Sequence, residues 1–166
     1  KSEADLAPWR ATLAQALGPN GGLMVPLIPE LGLILGPQAP VPELPPRDEQ
    51  HRFQMVFQRL LAVFAQPAHP LALFLDDLQW LDAATLDLLE YLATQPEVRH
   101  VLLIGAYRND DVKPGHPLLL RLSAIRQAGG RVNDIALSPL GFEDVSRLIV
   151  DALHCAPGDA APLARL

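Results

Sequence analysis

Five apolar residues run directly into two adjacent carboxylates in the stretch Leu71-Ala-Leu-Phe-Leu-Asp76-Asp77-Leu-Gln-Trp80-Leu-Asp82. A run of that length reads as a strand buried on both faces, and its acidic end sets Asp76 and Asp77 at a sheet's carboxyl edge, where open α/β folds hold ligands. Successive strand residues point to opposite sides, so one carboxylate can address a metal while its neighbour faces a water. The alternative is a solvated strand end whose acids merely start a turn.

The residues beyond Asp77 favour the ligand-binding edge. Asp82 is placed as the N-cap of an amphipathic helix carrying Leu86, Leu89, Leu92 and Ala93. A second strand, Val101 to Ala106, ends in Tyr107-Arg108-Asn109-Asp110. Strand, helix and strand make a right-handed βαβ crossover, which brings both polar ends to one edge and Arg108 near the acidic pair. Arg108 could there touch a γ-phosphate, or simply pair with Asp76, Asp77 or Asp110.

Upstream, Leu6, Trp9, Leu13 and Leu17 share a helical stripe that Gly18 and Pro19 end, with Trp9 expected in the core. Gly21 to Gly36 reads as short helical pieces broken by Pro26 and Pro29, or as an apolar partner surface. Pro37 to Pro46 is an extended connector. Glu49 to Gln66 is the longest clean helix, with Phe53, Phe57, Leu60, Leu61 and Phe64 expected against the sheet and Glu49, Gln50, Arg52 and Arg59 on the wet face. His116 falls in a loop before a helix opened by Pro117. Val132 to Leu137 alternates like a third strand. Gly141 and Asp144 open a helix whose Val145, Leu148, Ile149 and Leu153 face inward, and the tail from Ala156 is expected to fray.

From Trp9 to Cys155 the chain resembles the ATPase region of AAA-related signal-transduction ATPases with numerous domains, above all the module found in large bacterial hybrid serine/threonine and histidine sensor kinases. The resemblance is carried by Leu-Phe-Leu-Asp76-Asp77-Leu-Gln-Trp80-Leu-Asp82 and by Leu-Leu-Ile-Gly-Ala-Tyr107-Arg108. Pro42-Glu-Leu-Pro-Pro, His51-Arg52-Phe53 and Leu137-Ser-Pro-Leu140 also match. It implies an α/β fold: part of a P-loop NTPase three-layer sandwich of the AAA type, with about three parallel strands and flanking helices.

The resemblance makes the first strand a Walker B strand. Asp76 would then assist Mg²⁺ through a water, Asp77 would stand at the catalytic acid position and Arg108 at sensor 1, all three beside ATP. Many relatives carry Glu where this chain has the shorter Asp77. No Gly-x-x-x-x-Gly-Lys-Ser/Thr occurs in the sequence. The resemblance puts that loop upstream of Lys1, so the chain is expected to be a fragment of an ATP-hydrolysing regulatory module that alone binds little or no ATP. The corresponding division is a helical and Pro-rich segment at 1–48, the core with Walker B and sensor 1 at 49–138, and the start of a helical lid at 139–166. In the family the phosphate-loop strand lies between the second and third strands. Its absence predicts either direct pairing of 101–106 with 132–137 or a homodimer through the open edges.

Composition narrows the other classes. The chain has 166 residues, 49% of them apolar, enough for one domain with a sizeable core. With 19 acidic against 13 basic residues and no basic stripe, direct nucleic-acid binding is not expected. One cysteine, and five histidines without ligand spacing, suit a reducing cytoplasm and no structural zinc. No apolar run has the length of a membrane span. The expected partners are neighbouring domains of a parent protein. A non-catalytic scaffold module, in which the acidic pair is a relic, is the competing reading.

Overall fold

A computed structural model describes residues 3–165, and the chain divides into two compact units, Lys1–Val132 and Asn133–Leu166. The first unit opens with α1 (Glu3–Leu17), whose Leu13 and Leu17 are fully buried. Gly18 in the left-handed region (φ 53°) ends it, a 3₁₀ turn follows at Gly18–Leu23, and α2 (Glu30–Leu35) stops at Gly36. Residues 37–45 have no regular structure, as the density of prolines there requires. The helix α3 (Pro46–Phe64) carries Val56 and Leu60 into a core shared with Leu13, Leu17, Met24 and Leu31.

Three expectations for this region are corrected. The stripe of α3 packs on α1 and the 3₁₀ turn, with Phe53 and Phe57 against that core, rather than on the sheet. The apolar stripe of α1 needs a cover, and the long helix supplies it. Trp9 is 42% exposed and stacks on Phe64 with ring centroids 5.6 Å apart. Arg52 belongs to no wet face: its Nη1 donates to the Pro42 carbonyl at 2.7 Å and pins the proline connector to α3.

The sheet consists of β1 (Leu71–Leu75) and β2 (Val101–Gly105), parallel and in register from Leu71 opposite Val101 to Leu75 opposite Gly105. Between them, α4 (Ala83–Thr94) starts at Asp82, whose Oδ1 accepts from the Thr85 N–H at 2.7 Å, as the sequence predicts. After β2, α5 (Pro117–Gln127) is capped by His116, whose Nδ1 accepts from the Leu118 N–H at 3.2 Å. A second core gathers Leu78, Leu86 and Leu118, with Leu75, Leu89 and Tyr107 against it.

β1 is not buried on both faces. Leu71, Leu73 and Leu75 are half-buried, but Phe74 is 63% exposed, and Leu102 and Ile104 of β2 are exposed beside it. The second core meets one face of this two-stranded sheet, and the residues pointing the other way stay in solvent.

In the second unit, residues 133–140 form no strand, and Ile135 and Leu137 are almost fully exposed. Alternation alone does not make a strand, since its backbone groups need a ladder partner, and the described sheet has two strands. The expected pairing of 101–106 with 132–137 is therefore absent. The helix α6 (Phe142–Leu153) starts where expected, with the Gly141 N–H donating to Asp144 Oδ2 at 3.3 Å. Leu148 and Leu153 are exposed rather than turned inward. The tail is ordered as α7 (Pro157–Leu163), with Ala160 buried and the Arg165 guanidinium 5.6 Å from the Phe142 ring centroid. Leu166 lies outside the described residues.

Candidate functional site

The parallel register fixes where the chemistry can sit. Leu75 is opposite Gly105, so the residues that follow β1 and β2 leave the sheet at one edge. Asp76 and Asp77 follow β1, and Arg108 lies three residues beyond the end of β2. All three are exposed. The Ala106 N–H donates to the Leu75 carbonyl at 2.8 Å and the Leu78 N–H donates to the Ala106 carbonyl at 2.9 Å, which ties the two emerging segments together.

Strand alternation does not govern the second carboxylate. Asp77 has left strand geometry and sits in the left-handed region at φ 54° and ψ 43°. Aspartate is among the few side chains that tolerate it, because a short polar group can bond locally. Here the Asp77 N–H donates to Asp76 Oδ1 at 2.9 Å.

Gln79 completes the arrangement and was not singled out by sequence reasoning. It is 6% exposed, in the 3₁₀ turn Leu78–Trp80. Its Nε2 donates to Asp77 Oδ1 at 2.9 Å and its Oε1 accepts from the Arg108 N–H at 3.4 Å. The available signal was an amide set among Leu78, Trp80 and Leu81, where an apolar residue would continue the pattern.

The Arg108 guanidinium makes no ion pair with Asp76, Asp77 or Asp110 among the described residues, so the pairing alternative is not what this structure adopts. The described residues contain no cluster of three or more metal-ligating side chains. Two carboxylates at a sheet edge suit Mg²⁺, a hard cation that keeps waters and takes one or two carboxylates with substrate phosphates in place of an all-protein cage.

A cleft of about 410 Å³ lies elsewhere, between α3, α4 and α5, and Asp76, Asp77 and Arg108 do not line it. Arg121 spans it to Asp87 and to Glu90, the latter at 2.9 Å, and Gln50 Nε2 donates to Asp87 at 3.0 Å. Those groups satisfy one another and fasten three helices.

No helix among the described residues is long and apolar enough to cross a membrane. A stretch of 91 residues, 55% of this chain, is 37% identical to the hybrid signal transduction histidine kinase G of Dictyostelium discoideum. The chain spans 3% of the length of that relative, whose source gives no support to a bacterial origin. No solved structure matches. The sequence model of the AAA ATPase domain matches residues 1–104, which include Asp76 and Asp77 and leave Arg108 four residues beyond its end. That match covers more than half of the chain, and its parallel strands flanked by helices are those of a partial P-loop NTPase fold: the chain belongs to the AAA ATPase domain family.

Proposed function

We propose that this chain is the acid-bearing half of a regulatory ATPase module within a larger signalling protein, and that the parent binds Mg-ATP and uses its hydrolysis state as a switch between sensor and output domains. The observation that carries the reading is the placement of Asp76, Asp77 and Arg108 after two parallel strands that leave the sheet at the same edge. Asp76 would hold Mg²⁺ through a water, Asp77 would orient or deprotonate the attacking water, and Arg108 would meet the γ-phosphate as sensor 1. Mg²⁺ held through Asp76 would supply positive charge to offset that of the phosphates. The phosphate loop, absent from these residues, would come from another segment of the parent, and with it most of the ATP affinity.

The test is turnover in a longer chain that carries a phosphate loop ahead of Lys1. Asp77→Asn is expected to lower the rate by about 100-fold or more, the usual range for a positioned base. A rate unchanged by that substitution removes Asp77 from the mechanism.

A scaffold role is the second reading, favoured by Leu33 at 82% exposure and by the open face with Phe74 and Leu102. It predicts no heat with Mg-ATP in the longer chain but retained binding to neighbouring domains. A homodimer through the strand edges would appear in light scattering as twice the chain mass.

A further inference from the structure

We infer that Gln79 is a positioning residue that holds the Asp77 carboxylate and couples it to the segment carrying Arg108. The inference rests on the proposed ATPase reading for its catalytic consequence, though not for its structural content.

Gln79 is the one buried polar residue among the described residues, and both ends of its amide are engaged on this edge. Nε2 donates to Asp77 and Oε1 accepts from the Arg108 backbone. A side chain that must donate at one end and accept at the other has few replacements. Glutamate would set a second carboxylate against Asp77, and methionine would leave the Arg108 N–H without its acceptor. Asp77 therefore does not hang free in solvent although it is exposed. One of its oxygens is held by a buried amide that follows Leu78 of the second core in sequence.

The same amide makes the two segments answer to each other. A shift of Arg108 that follows its contact with a phosphate pulls on Gln79 Oε1, and Gln79 Nε2 carries the shift to the acid. The covalent path between the two residues runs through α4 and β2, whereas the amide path crosses from one to the other directly.

Two measurements decide the matter. In the 166-residue chain, Asp77→Asn is expected to move the NMR resonances of both the Gln79 side-chain amide and the Arg108 backbone amide. Gln79→Met, which keeps the volume, is expected to move Arg108 while thermal unfolding remains cooperative. Unmoved resonances at both groups would overturn the link, whether or not the parent hydrolyses ATP. In the longer chain with a phosphate loop, Gln79→Met is expected to lower kcat at least about tenfold with KM for Mg-ATP within about twofold, as a misplaced group does. Combined with Asp77→Asn it should cost little more, because Gln79 acts through Asp77. An equal cost in both backgrounds would reduce Gln79 to a merely structural part. A longer chain without ATPase activity would sink the proposed function and leave the resonance measurement to judge Gln79.

Discussion

Gly105 and Leu78 occupy one space: a Cβ built on Gly105 would overlap Leu78 Cδ1 and lie 3.3 Å from its Cγ. The last residue of β2 is thus bare because the turn behind the acidic pair drops a buried leucine against it. Gly105→Ala is expected to destabilise the chain by about 1 kcal/mol, because the added methyl must displace the tip of the buried Leu78 side chain. Denaturant unfolding checks this, and in a Leu78→Ala background the penalty should largely vanish.

Asp82 caps α4, and the hydrogen bonds from Thr85 hold its carboxyl below the ordinary carboxylate range. A depressed folded-state value means that the stabilisation is fully present above the unfolded value near 3.8 and is lost as pH falls through the folded one. Asp82→Ala should lower the melting temperature at neutral pH. Asp82→Asn, which still accepts from Thr85 but does not titrate, should narrow its deficit to wild type as the solution is acidified. A deficit that stays constant down to about pH 2 would disconnect Asp82 from acid sensitivity.

Leu60 and Phe74 are both large apolar residues and should behave oppositely. Leu60, 2% exposed in the first core, is expected to cost about 2–5 kcal/mol when cut to alanine. Phe74→Ser, on the open face of the sheet, should stay within about 0.5 kcal/mol. A large loss at Phe74 would mean that something covers that face in solution.

Arg121 fastens α5 to α4 through Asp87 and Glu90 from a partly exposed position. Arg121→Met is expected to cost about 1 kcal/mol or less at low salt, and less again at high salt, as screening weakens the lost pairs. Chemical denaturation at two ionic strengths reads the difference.

The local choices were legible because they depend on neighbours in sequence. Asp82 before an apolar helical stripe, Gly18 after one, Pro117 at a helix start and the cluster of prolines from Pro37 to Pro46 each set backbone geometry within a few residues. The apolar runs ending in Asp76-Asp77 and near Arg108 likewise announced two strands with polar exits, and parallel pairing did bring those exits to one edge.

Residues 132–137 show where that reasoning stops. Their alternation is as good as that of many strands, yet they form none, because a ladder requires a partner that no local pattern provides. The exposure of Phe74 and the packing of α3 on α1 are likewise decided by which surfaces meet. So is the burial of Gln79. By itself the sequence determined the two strands, the acids after the first and the helices from α3 to α6, since periodicity and capping are short-range. Only the tertiary structure decided which face of the sheet is covered and that a buried Gln79 amide accepts from the Arg108 backbone, because burial and hydrogen bonding between residues 29 apart are fixed when the chain closes on itself.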